Sequence, residues 1–326
     1  MARVLSDDDV ASVLDLSSLL DVVAEAFRKQ GAGEVERPER PHFPVGTGLD
    51  PDAPDEPLGT GLVMPAYVHG SDYYATKLVG VHEGNAERGL PTVNAQIALT
   101  EAETGLPAAY VAGTRITNAR TGCIGGLAAR ELATGPVTLG VLGAGTQARW
   151  QTRAIAAATD LDSVRVYSPS DSKVTCAAEL REEGIDAEAV ESPGDAVDGA
   201  NVVVTATTAT DPVFPGEVLD PGTVVIAVGA YTAEMQELDP TTFERAARVF
   251  ADAPGEVVDV GDAVAADLTT SDLIPFSAVV TGESGRETDD EIVVVESVGT
   301  AVLDAATAEH VYVSARESAV GTEVDL

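Results

Sequence analysis

The segment that most constrains the fold is VTLGVLGAGTQARW, which runs from Val137 to Trp150. It places Gly143, Gly145 and Ala148 in a G-x-G-x-x-A pattern, directly after a strand-like run and at the start of a helix-like run. The first glycine permits a tight turn, the second lets the backbone approach a pyrophosphate, and the alanine lets helix and strand pack closely. The helix N-terminus also presents free N–H groups to phosphates. The pattern in this context predicts a dinucleotide-binding βαβ unit.

Strand-like and helix-like segments alternate around this pattern, over residues 115–299. The helix-like segments include TQARWQTRAIAAA and SKVTCAAELREEG, and the strand-like segments are SVRVYS, NVVVTAT, TVVIAVG, RVFAD and EIVVVESVG. Such alternation is typical of a parallel sheet wound with helices. We therefore expect an α/β fold with a Rossmann-type doubly wound parallel sheet over residues 115–299.

The N-terminal part of the chain has a different character. Apolar residues recur at helical spacing over residues 10–30, which predicts one amphipathic helix. Four short strand-like pieces follow, GLVMPAYV, DYYATKLVGV, TVNAQIALT and AAYVAG. Residues 1–114 therefore predict a second, α+β module, and TAVLDAATAEHVYVSARE predicts a final helix at the end of the chain.

The end of the strand SVRVYS bears on the choice of dinucleotide. NAD-binding proteins usually place an acidic residue there to hold the ribose hydroxyls. This chain has Ser168 and Ser170, with Asp171 and Lys173 just beyond. A 2′-phosphate would meet no repulsion at Ser168, and Lys173 or the serine hydroxyls are candidates to bind it, which favours NADP(H). Asp171 in the ribose role, and Lys173 as a solvated surface residue, are the alternatives.

Composition limits the partners. Asp and Glu total 54 against 19 Lys and Arg, which gives a net charge of -35. Such a surface repels nucleic acid and anionic membranes, so we expect neither as a partner. Because the acidic residues are spread along the chain and lysine is scarce, the pattern resembles a halophile's surface, whose self-repulsion is screened by salt.

The cysteines, the histidines and the apolar segments of the sequence indicate no disulfide framework, metal site or membrane span. Cys123 and Cys176 lie far apart in the sequence, and we expect both to be reduced core residues. The four histidines show no ligand spacing, so no metal is indicated. The N-terminus lacks the apolar stretch of a signal peptide, and no apolar run approaches the roughly 18 residues of a membrane span. These features predict a cytoplasmic protein.

One lysine lies where a buried strand is expected. Lys77 is one of three lysines in the chain, and it interrupts the apolar run YYATKLVGV. The local sequence by itself favours a lysine at a sheet edge, with its ammonium extended to solvent.

Motifs along most of the chain resemble the ornithine cyclodeaminase/mu-crystallin family, which includes archaeal alanine dehydrogenases. They occur in order and are RPERP, MPAY, ATKLVGV, GLPTVNAQIALTEAETGLPAA, RITNARTG, GAGTQA, VGAYTAEMQELD and ESVGTAVLDAATA. The resemblance implies a homodimer whose subunit has two domains: a substrate-binding and dimerisation domain, residues 1–114 with 300–326, and a nucleotide domain, residues 115–299. It also implies that a small amino or imino acid binds beside a nicotinamide, between the two domains.

The resemblance assigns roles to three basic residues. Arg40, Lys77 and Arg120 match family positions that surround the substrate carboxylate, and the lysine also serves in proton transfer. A guanidinium clamps a carboxylate through two hydrogen bonds, and a desolvated lysine among cations has a lowered pKa that suits acid–base work. Arg37 is the alternative to Arg40, and a helix-surface charge is the alternative for Arg120.

The remaining candidates follow from the turn pattern and the resemblance. Predicted cofactor-binding residues are Thr121, Gly143, Gly145, Thr146, Gln147, Ala148, Ser168, Ser170, Lys173, Thr205, Thr207, Val228, Ser297 and Gly299. Tyr231 replaces an aspartate of cyclodeaminases and alanine dehydrogenases, and it is a candidate proton donor or a packing residue. Val63 occupies the place where cyclodeaminases tend to carry a glutamate.

These departures weigh against ornithine cyclisation, which needs groups that manage a second amine. The sequence predicts an NAD(P)-dependent oxidoreductase acting on C–N bonds, by reducing an imine or ketimine or by dehydrogenating an L-amino acid such as alanine. The alternatives are an ornithine cyclodeaminase and a non-catalytic NADP-binding protein of the mu-crystallin type.

Overall fold

The computed structural model describes residues 1–325, except the side chain of Ala86. Within this range the helices are α1 Asp7–Val13, α2 Leu16–Gly31, α3 Gly113–Leu132, α4 Thr146–Ala158, α5 Ser172–Glu182, α6 Pro193–Val197, α7 Pro240–Arg245, α8 Pro254–Val257, α9 Gly261–Ala265, α10 Ser277–Thr281 and α11 Ala301–Glu317. The strands are β1 Ala2–Leu5, β2 Val35–Glu36, β3 His42–Val45, β4 Gly59–Val68, β5 Tyr73–Val81, β6 Val93–Glu101, β7 Pro107–Ala112, β8 Val137–Leu142, β9 Leu161–Tyr167, β10 Ala187–Ala189, β11 Val202–Thr205, β12 Val224–Ala227, β13 Ala246–Ala251, β14 Leu273–Pro275, β15 Ile292–Glu296 and β16 Thr322–Val324.

The chain forms two compact units. The first comprises residues 1–15, 32–120 and 301–326, and the second comprises 16–31 and 121–300. They are called the substrate unit and the nucleotide unit after the roles predicted from the sequence. The boundaries predicted from the sequence, 114/115 and 299/300, differ mainly in the placement of α2. This helix belongs to the nucleotide unit because it packs against α4 and α10, and its Phe27 ring meets Phe276 edge-on at 5.1 Å.

The substrate unit contains a mixed sheet in the order β16-β1-β7-β6-β5-β4-β2, with β3 also paired to β4. All of its pairs are antiparallel except β1 with β7. Side chains alternate between the two faces of such a sheet. One face is buried, by residues such as Met64, Ala75, Ile97 and Leu99, and α11 packs against β4, β5 and β6.

The nucleotide unit contains a parallel sheet in the order β10-β9-β8-β11-β12-β15-β13-β14. Its central strands read VVVT, VVIA and IVVVE and are fully buried, as expected for a sheet covered on both faces. The strand order reverses between β8 and β11, because β9 and β10 extend to one side and β11 continues on the other. In doubly wound sheets, ligands bind at the carboxyl ends of the strands at such a reversal. The α/β Rossmann-type prediction is therefore confirmed.

The helix predicted at the dinucleotide turn agrees with the structure, whereas the helix predicted near the N-terminus does not. The predicted helix TQARWQTRAIAAA coincides with α4. The single helix predicted over residues 10–30 is wrong, because Leu14 has an extended backbone and ends α1 before α2 begins at Leu16. Cys123 and Cys176 are free and buried, as predicted. None of the helices within residues 1–325 combines the length and the apolar composition needed to cross a bilayer.

Candidate active site

Lys77 lies in the middle of β5, and only 2% of it is exposed. It lies opposite Met64 of β4 and Ile97 of β6, so neighbouring strands flank it on both sides. Paired residues share a face of the sheet, and both neighbours are buried. Lys77 therefore projects from the centre of the sheet into the interior of the substrate unit, and snorkelling from an edge does not describe it.

Asp304 of α11 is the partner of this lysine. Its Oδ2 lies 2.5 Å from Lys77 Nζ, and the aspartate is 1% exposed. The packing of α11 on β4 and β5 brings the carboxylate over the buried face of the sheet. A buried charge is costly unless an opposite charge compensates it, so each of these groups stabilises the ionised form of the other.

Arg120 of α3 completes the cluster. Its Nε donates to Asp304 Oδ1 at 2.9 Å, and 4% of the residue is exposed. Thr117 lies one turn earlier on the same face of α3, and its Oγ1 lies 3.5 Å from Lys77 Nζ. The structure thus brings together Lys77 and Arg120, two of the three basic residues predicted for the substrate site, on the two oxygens of one carboxylate.

The third predicted basic residue is Arg40, in the segment between β2 and β3. Its positive charge lowers the pKa of Lys77, which places it in the electrostatic environment of the cluster. Arg40 is half-buried, whereas Arg37, its alternative, is exposed. The environment of Lys77 therefore favours Arg40 over Arg37 as the residue near the cluster.

These surroundings set the protonation of the cluster. Burial and the positive charges of Arg120 and Arg40 lower the pKa of Lys77 to about 8, against the opposing effect of Asp304. Burial raises the pKa of Asp304, but Arg120 and Lys77 together bring it below its usual value. At neutral pH the cluster therefore holds a carboxylate, guanidinium groups and an ammonium that can release its proton near physiological pH.

The sheet register shows which residue of β4 lies beside Lys77. Val63 pairs with Leu78 and therefore faces away from Lys77, while Met64 lies directly opposite the lysine. The side chain beside the ammonium on β4 is thus a buried thioether and not an acid.

In the nucleotide unit, the turn after β8 has the geometry that the glycine pattern requires. Gly143 has φ +113°, and a Cβ there would lie 2.4 Å from the carbonyl oxygen of Ala206. Gly145 is the N-cap of α4 and has no heavy atom within 4 Å of the position of a Cβ. Ala148 is fully buried. Only glycine fits the first position, the second is open, and the third packs tightly, so the turn fits a pyrophosphate.

The carboxyl end of β11 lies against this turn. Ala206 N donates to Leu142 O at 2.9 Å, and Thr205 and Thr207 flank it. Both threonines donate to Glu237, at 2.9 Å from Thr205 and 2.8 Å from Thr207. Two predicted cofactor residues therefore share one buried carboxylate, at the edge where the strand order reverses.

Ser168 and Ser170 lie just beyond β9, where an acidic residue was absent from the sequence. Their hydroxyls form a cluster with Ser172, with Oγ–Oγ distances of 3.1 Å for Ser168–Ser172 and 2.8 Å for Ser170–Ser172. Lys173 Nζ instead forms an ion pair with Glu191 at 3.0 Å. The predicted role of Lys173 as a phosphate ligand therefore competes with an ion pair that holds its ammonium.

Asp252 holds the loop that carries Ser297 and Gly299. Its carboxylate accepts from Ser297 Oγ at 2.7 Å and from the backbone N–H of Gly299 at 2.8 Å. Thr146 is exposed and Gln147 half-buried at the start of α4, Thr121 is buried in α3, Val228 follows β12, and Tyr231 is 44% exposed. The structure thus places the predicted cofactor residues in the nucleotide unit, most of them near the carboxyl ends of its strands.

Two buried carboxylates that hold predicted site residues in place, Asp304 and Glu237, were not predicted from the sequence. Asp304 is a lone acid inside the apolar run TAVLDAATA, and a buried acid on a helix needs a cationic partner, which was a usable signal. Glu237 lies in the polar segment AEMQELD, where nothing in the local pattern distinguishes it from a surface acid.

A doubly wound parallel sheet with a G-x-G-x-x-A turn beside the reversal of its strand order is typical of the class of nicotinamide-dependent oxidoreductases. The sequence profile described as "Ornithine cyclodeaminase/mu-crystallin family" matches residues 2–319. The chain belongs to this family.

Three relatives show the same relationship. An alanine dehydrogenase from Archaeoglobus fulgidus is 32% identical over 98% of this chain and 97% of its own length. The structure of Thermococcus litoralis Δ1-pyrroline-2-carboxylate reductase in complex with NADH and L-proline has a TM-score of 0.91 and 31% identity, covering 99% of this chain and 100% of the other. An archaeal alanine dehydrogenase dimer with bound NAD has a TM-score of 0.90 and 29% identity, covering 100% and 99%. The predicted family and enzyme class are confirmed.

Proposed function

We propose that this protein reduces the C=N bond of a small cyclic 2-imino acid, of the Δ1-pyrroline-2-carboxylate class, to the corresponding L-amino acid. The observation that carries the proposal is the buried Lys77 ammonium, held 2.5 Å from Asp304 with a pKa of about 8. A proton donor with a pKa near the working pH is the most effective general acid.

The charges of the cluster fit an anionic substrate. Lys77, Arg120 and Arg40 are positive and Asp304 is negative, so one further carboxylate is attracted. Arg120 uses its Nε for Asp304, and the other face of its guanidinium remains suited to a substrate carboxylate. In this assignment Arg120 and Arg40 hold the carboxylate, and Asp304 keeps both Lys77 and Arg120 in place.

A nicotinamide cofactor, when bound at the Gly143 turn, supplies the hydride that adds to the imine carbon. Lys77 supplies the proton that the nitrogen needs, and its amine is recharged from solvent. The sum is one imine, one hydride and one proton giving one amine. Tyr231 is the second candidate donor assigned from the sequence.

The direct test measures NADH and NADPH oxidation with Δ1-pyrroline-2-carboxylate, Δ1-piperideine-2-carboxylate, or pyruvate plus ammonia. We expect turnover with the cyclic imines, with kcat falling as pH rises through about 8, because Lys77 must carry its proton. Lys77→Ala is expected to lose roughly 10²–10⁴-fold in kcat, the usual contribution of general acid–base catalysis. NADH binding, followed by fluorescence, is expected to survive.

Two matched variants sharpen this test. Lys77→Arg keeps the charge but cannot titrate, so it should also be inactive, whereas Lys29→Ala removes a lysine outside the cluster and should retain activity. Full activity in Lys77→Arg would contradict the role of Lys77. Formation of proline from ornithine with catalytic NAD, and no imine reduction, would establish the cyclodeaminase alternative instead.

The cofactor preference is a separate proposal. Since no carboxylate stands at Ser168, we infer that NADPH is accepted as well as NADH, with the serine cluster facing the 2′ position. The test compares kcat/KM for the two cofactors in the wild type and in Ser168→Asp. The aspartate should reduce NADPH use at least tenfold and leave NADH use nearly unchanged. Equal loss with both cofactors would contradict the assignment.

We also propose a homodimer that covers the exposed face of the substrate-unit sheet. Val4, Tyr74, Leu78 and Tyr110 are 39–45% exposed on this face, opposite the face of Lys77. A cavity of about 390 Å³ beside Tyr67 and Tyr74 continues the apolar surface. Exposed apolar patches of this kind mark interfaces, and the related alanine dehydrogenase is a dimer. Light scattering should show a dimer for the wild type and a monomer for Tyr110→Glu; a monomeric wild type would contradict the proposal.

A further inference from the structure

We propose that Glu237 is a positioning residue for the cofactor, because its ionised carboxylate ties the ends of β11 and β12 together beside the dinucleotide turn. The inference rests on the proposed function only in taking a nicotinamide dinucleotide to bind at the Gly143 turn.

The contacts of Glu237 are those of a clamp. Its Oε2 accepts from Thr205 Oγ1 at 2.9 Å and from Gly229 N at 2.8 Å. Its Oε1 accepts from Thr207 N at 2.6 Å and from Thr207 Oγ1 at 2.8 Å. One fully buried carboxylate thus satisfies four donors from the ends of two adjacent strands. Each oxygen accepts two hydrogen bonds, which only the ionised form can do completely.

The loop that Glu237 holds packs directly against the dinucleotide turn at Gly143. Ala206 lies between the two threonines, and its carbonyl oxygen would meet a Cβ on Gly143 at 2.4 Å. On the other strand, a Cβ on Gly229 would lie 2.3 Å from Thr207 O and 2.5 Å from Glu237 Oε1. The three backbone segments are therefore in contact, so a shift of the loop at Thr207 changes the space at the glycine turn.

The groups facing Glu237 are acidic. Asp262 Oδ1 accepts from the backbone N–H of Glu237 and of Leu238, both at 2.7 Å. The charges of Glu237, Asp262 and Asp252 raise the pKa of Glu296 beyond what its own burial does. Burial and the charge of Asp262 raise the pKa of Glu237 to about 7, against the lowering effect of the hydrogen bonds from Thr207 and Gly229.

Protonation of Glu237 therefore occurs near neutral pH and changes the clamp. The added proton converts one oxygen from an acceptor of two hydrogen bonds into a donor, so at least one bond to Thr205, Thr207 or Gly229 must break or reverse. Cofactor affinity should then fall as pH falls through about 7. Since NADH has no 2′-phosphate that titrates in this range, it is the suitable probe.

The test is a fluorescence titration of NADH into the full-length protein, without substrate, from pH 5.5 to 8.5. The wild type should bind severalfold more weakly at pH 6 than at pH 8. Glu237→Gln should bind about tenfold more weakly at pH 8, because the neutral amide cannot accept all four hydrogen bonds, and its affinity should not change near pH 7. Thr205→Val removes one donor but keeps the carboxylate, so it should weaken binding less and retain the pH dependence.

The outcomes separate this inference from the proposed function. Wild-type NADH affinity that is constant from pH 6 to 8.5 overturns the inference even if Glu237→Gln fails to fold. So does a folded Glu237→Gln protein with the wild-type affinity and pH dependence. Imine reduction plays no part in the measurement, so a wrong substrate leaves it valid, whereas a wild type that binds neither dinucleotide overturns both proposals.

Discussion

The two units of the molecule bury charge in opposite ways. In the substrate unit, Asp304 lies between Lys77 and Arg120, and each charge has an opposite partner within 2.9 Å. In the nucleotide unit, burial raises the pKa of Glu237, Asp262 and Glu296, and the charge of Asp262 adds to the shifts of the other two. Backbone and hydroxyl donors take the place of cations for Glu237 and Asp262. In the substrate unit, ion pairing stabilises the buried charges. In the nucleotide unit, burial moves the pKa values of the acids toward neutrality, because these acids have no cationic partner among the described residues.

The comparison suggests different uses. The paired cluster holds positive groups around one carboxylate and includes an ammonium with a pKa of about 8, which suits the binding of a carboxylate and the transfer of a proton. A cluster of acids with raised pKa values changes its protonation within the physiological range, which suits control of the loops that it holds.

The largest effect is expected from removing the carboxylate of the paired cluster. Asp304→Ala leaves Lys77 and Arg120 buried without their partner, and breaking a buried pair typically costs about 3–5 kcal/mol. Denaturant unfolding measures this loss. The control is Asp21→Ala, whose side chain is 85% exposed and 3.9 Å from Arg130, and which should change stability by less than about 0.5 kcal/mol.

An apolar replacement of the whole cluster separates stability from function. Buried ion-pair triads often tolerate apolar replacement of similar volume. Lys77→Met combined with Arg120→Met and Asp304→Leu should therefore regain most of the stability lost in Asp304→Ala, while remaining inactive. A triple variant as unstable as Asp304→Ala would show that these charges are also needed for folding.

The second effect is a pH dependence of stability with opposite signs for the two clusters. Between pH 4.5 and about 7, folded Glu237 holds a proton that the unfolded chain has released, so Glu237 makes stability fall as pH rises. Between about pH 8 and 10.5, the unfolded chain holds a proton that folded Lys77 has released, so Lys77 makes stability rise with pH.

Each contribution is on the order of 3 kcal/mol over its window, since one pKa unit corresponds to about 1.4 kcal/mol. Urea unfolding at a series of pH values measures both. Glu237→Gln should reduce the fall in the acidic window, to which Asp262 and Glu296 also contribute, and leave the alkaline window unchanged. Lys77→Met should remove the contribution of Lys77 to the rise in the alkaline window and leave the acidic window unchanged. A variant that altered the slope in the other window would contradict the assignment of the shift to that residue.

The same comparison shows what the sequence can reveal. The glycine turn, α4 and the core strands were predictable because their signals are local: alternation, apolar runs and fixed spacing. Lys77 was identifiable because lysine is scarce in this chain and because its motif resembles the family's.

Long-range pairing explains the failures. Asp304 lies 227 positions after Lys77, and only the packing of α11 on the sheet brings the two together. β1 pairs with β7, about a hundred positions later, and with β16 at the other end of the chain. Because β1 has only four residues and its partners are distant, the local sequence did not predict it as a strand. Glu237 resembles a surface acid until β11 and β12 are placed side by side.

The smallest effect concerns ion pairs outside both clusters. Arg153 donates to Glu183 through two nitrogens, at 2.7 and 2.5 Å, but these side chains are 27% and 39% exposed. Exposed pairs contribute about 0.2–1 kcal/mol, and salt screens them. Glu183→Gln should therefore cost no more than about 1 kcal/mol in dilute buffer and almost nothing in 1 M KCl, whereas the cost of Asp304→Ala should be nearly the same in both.

Because the chain carries a net charge of -35, the wild type itself should gain stability as KCl rises. A wild type that lost stability in KCl would contradict the halophile-like interpretation of its surface, and a salt-sensitive Asp304→Ala would show that water reaches the Lys77 cluster.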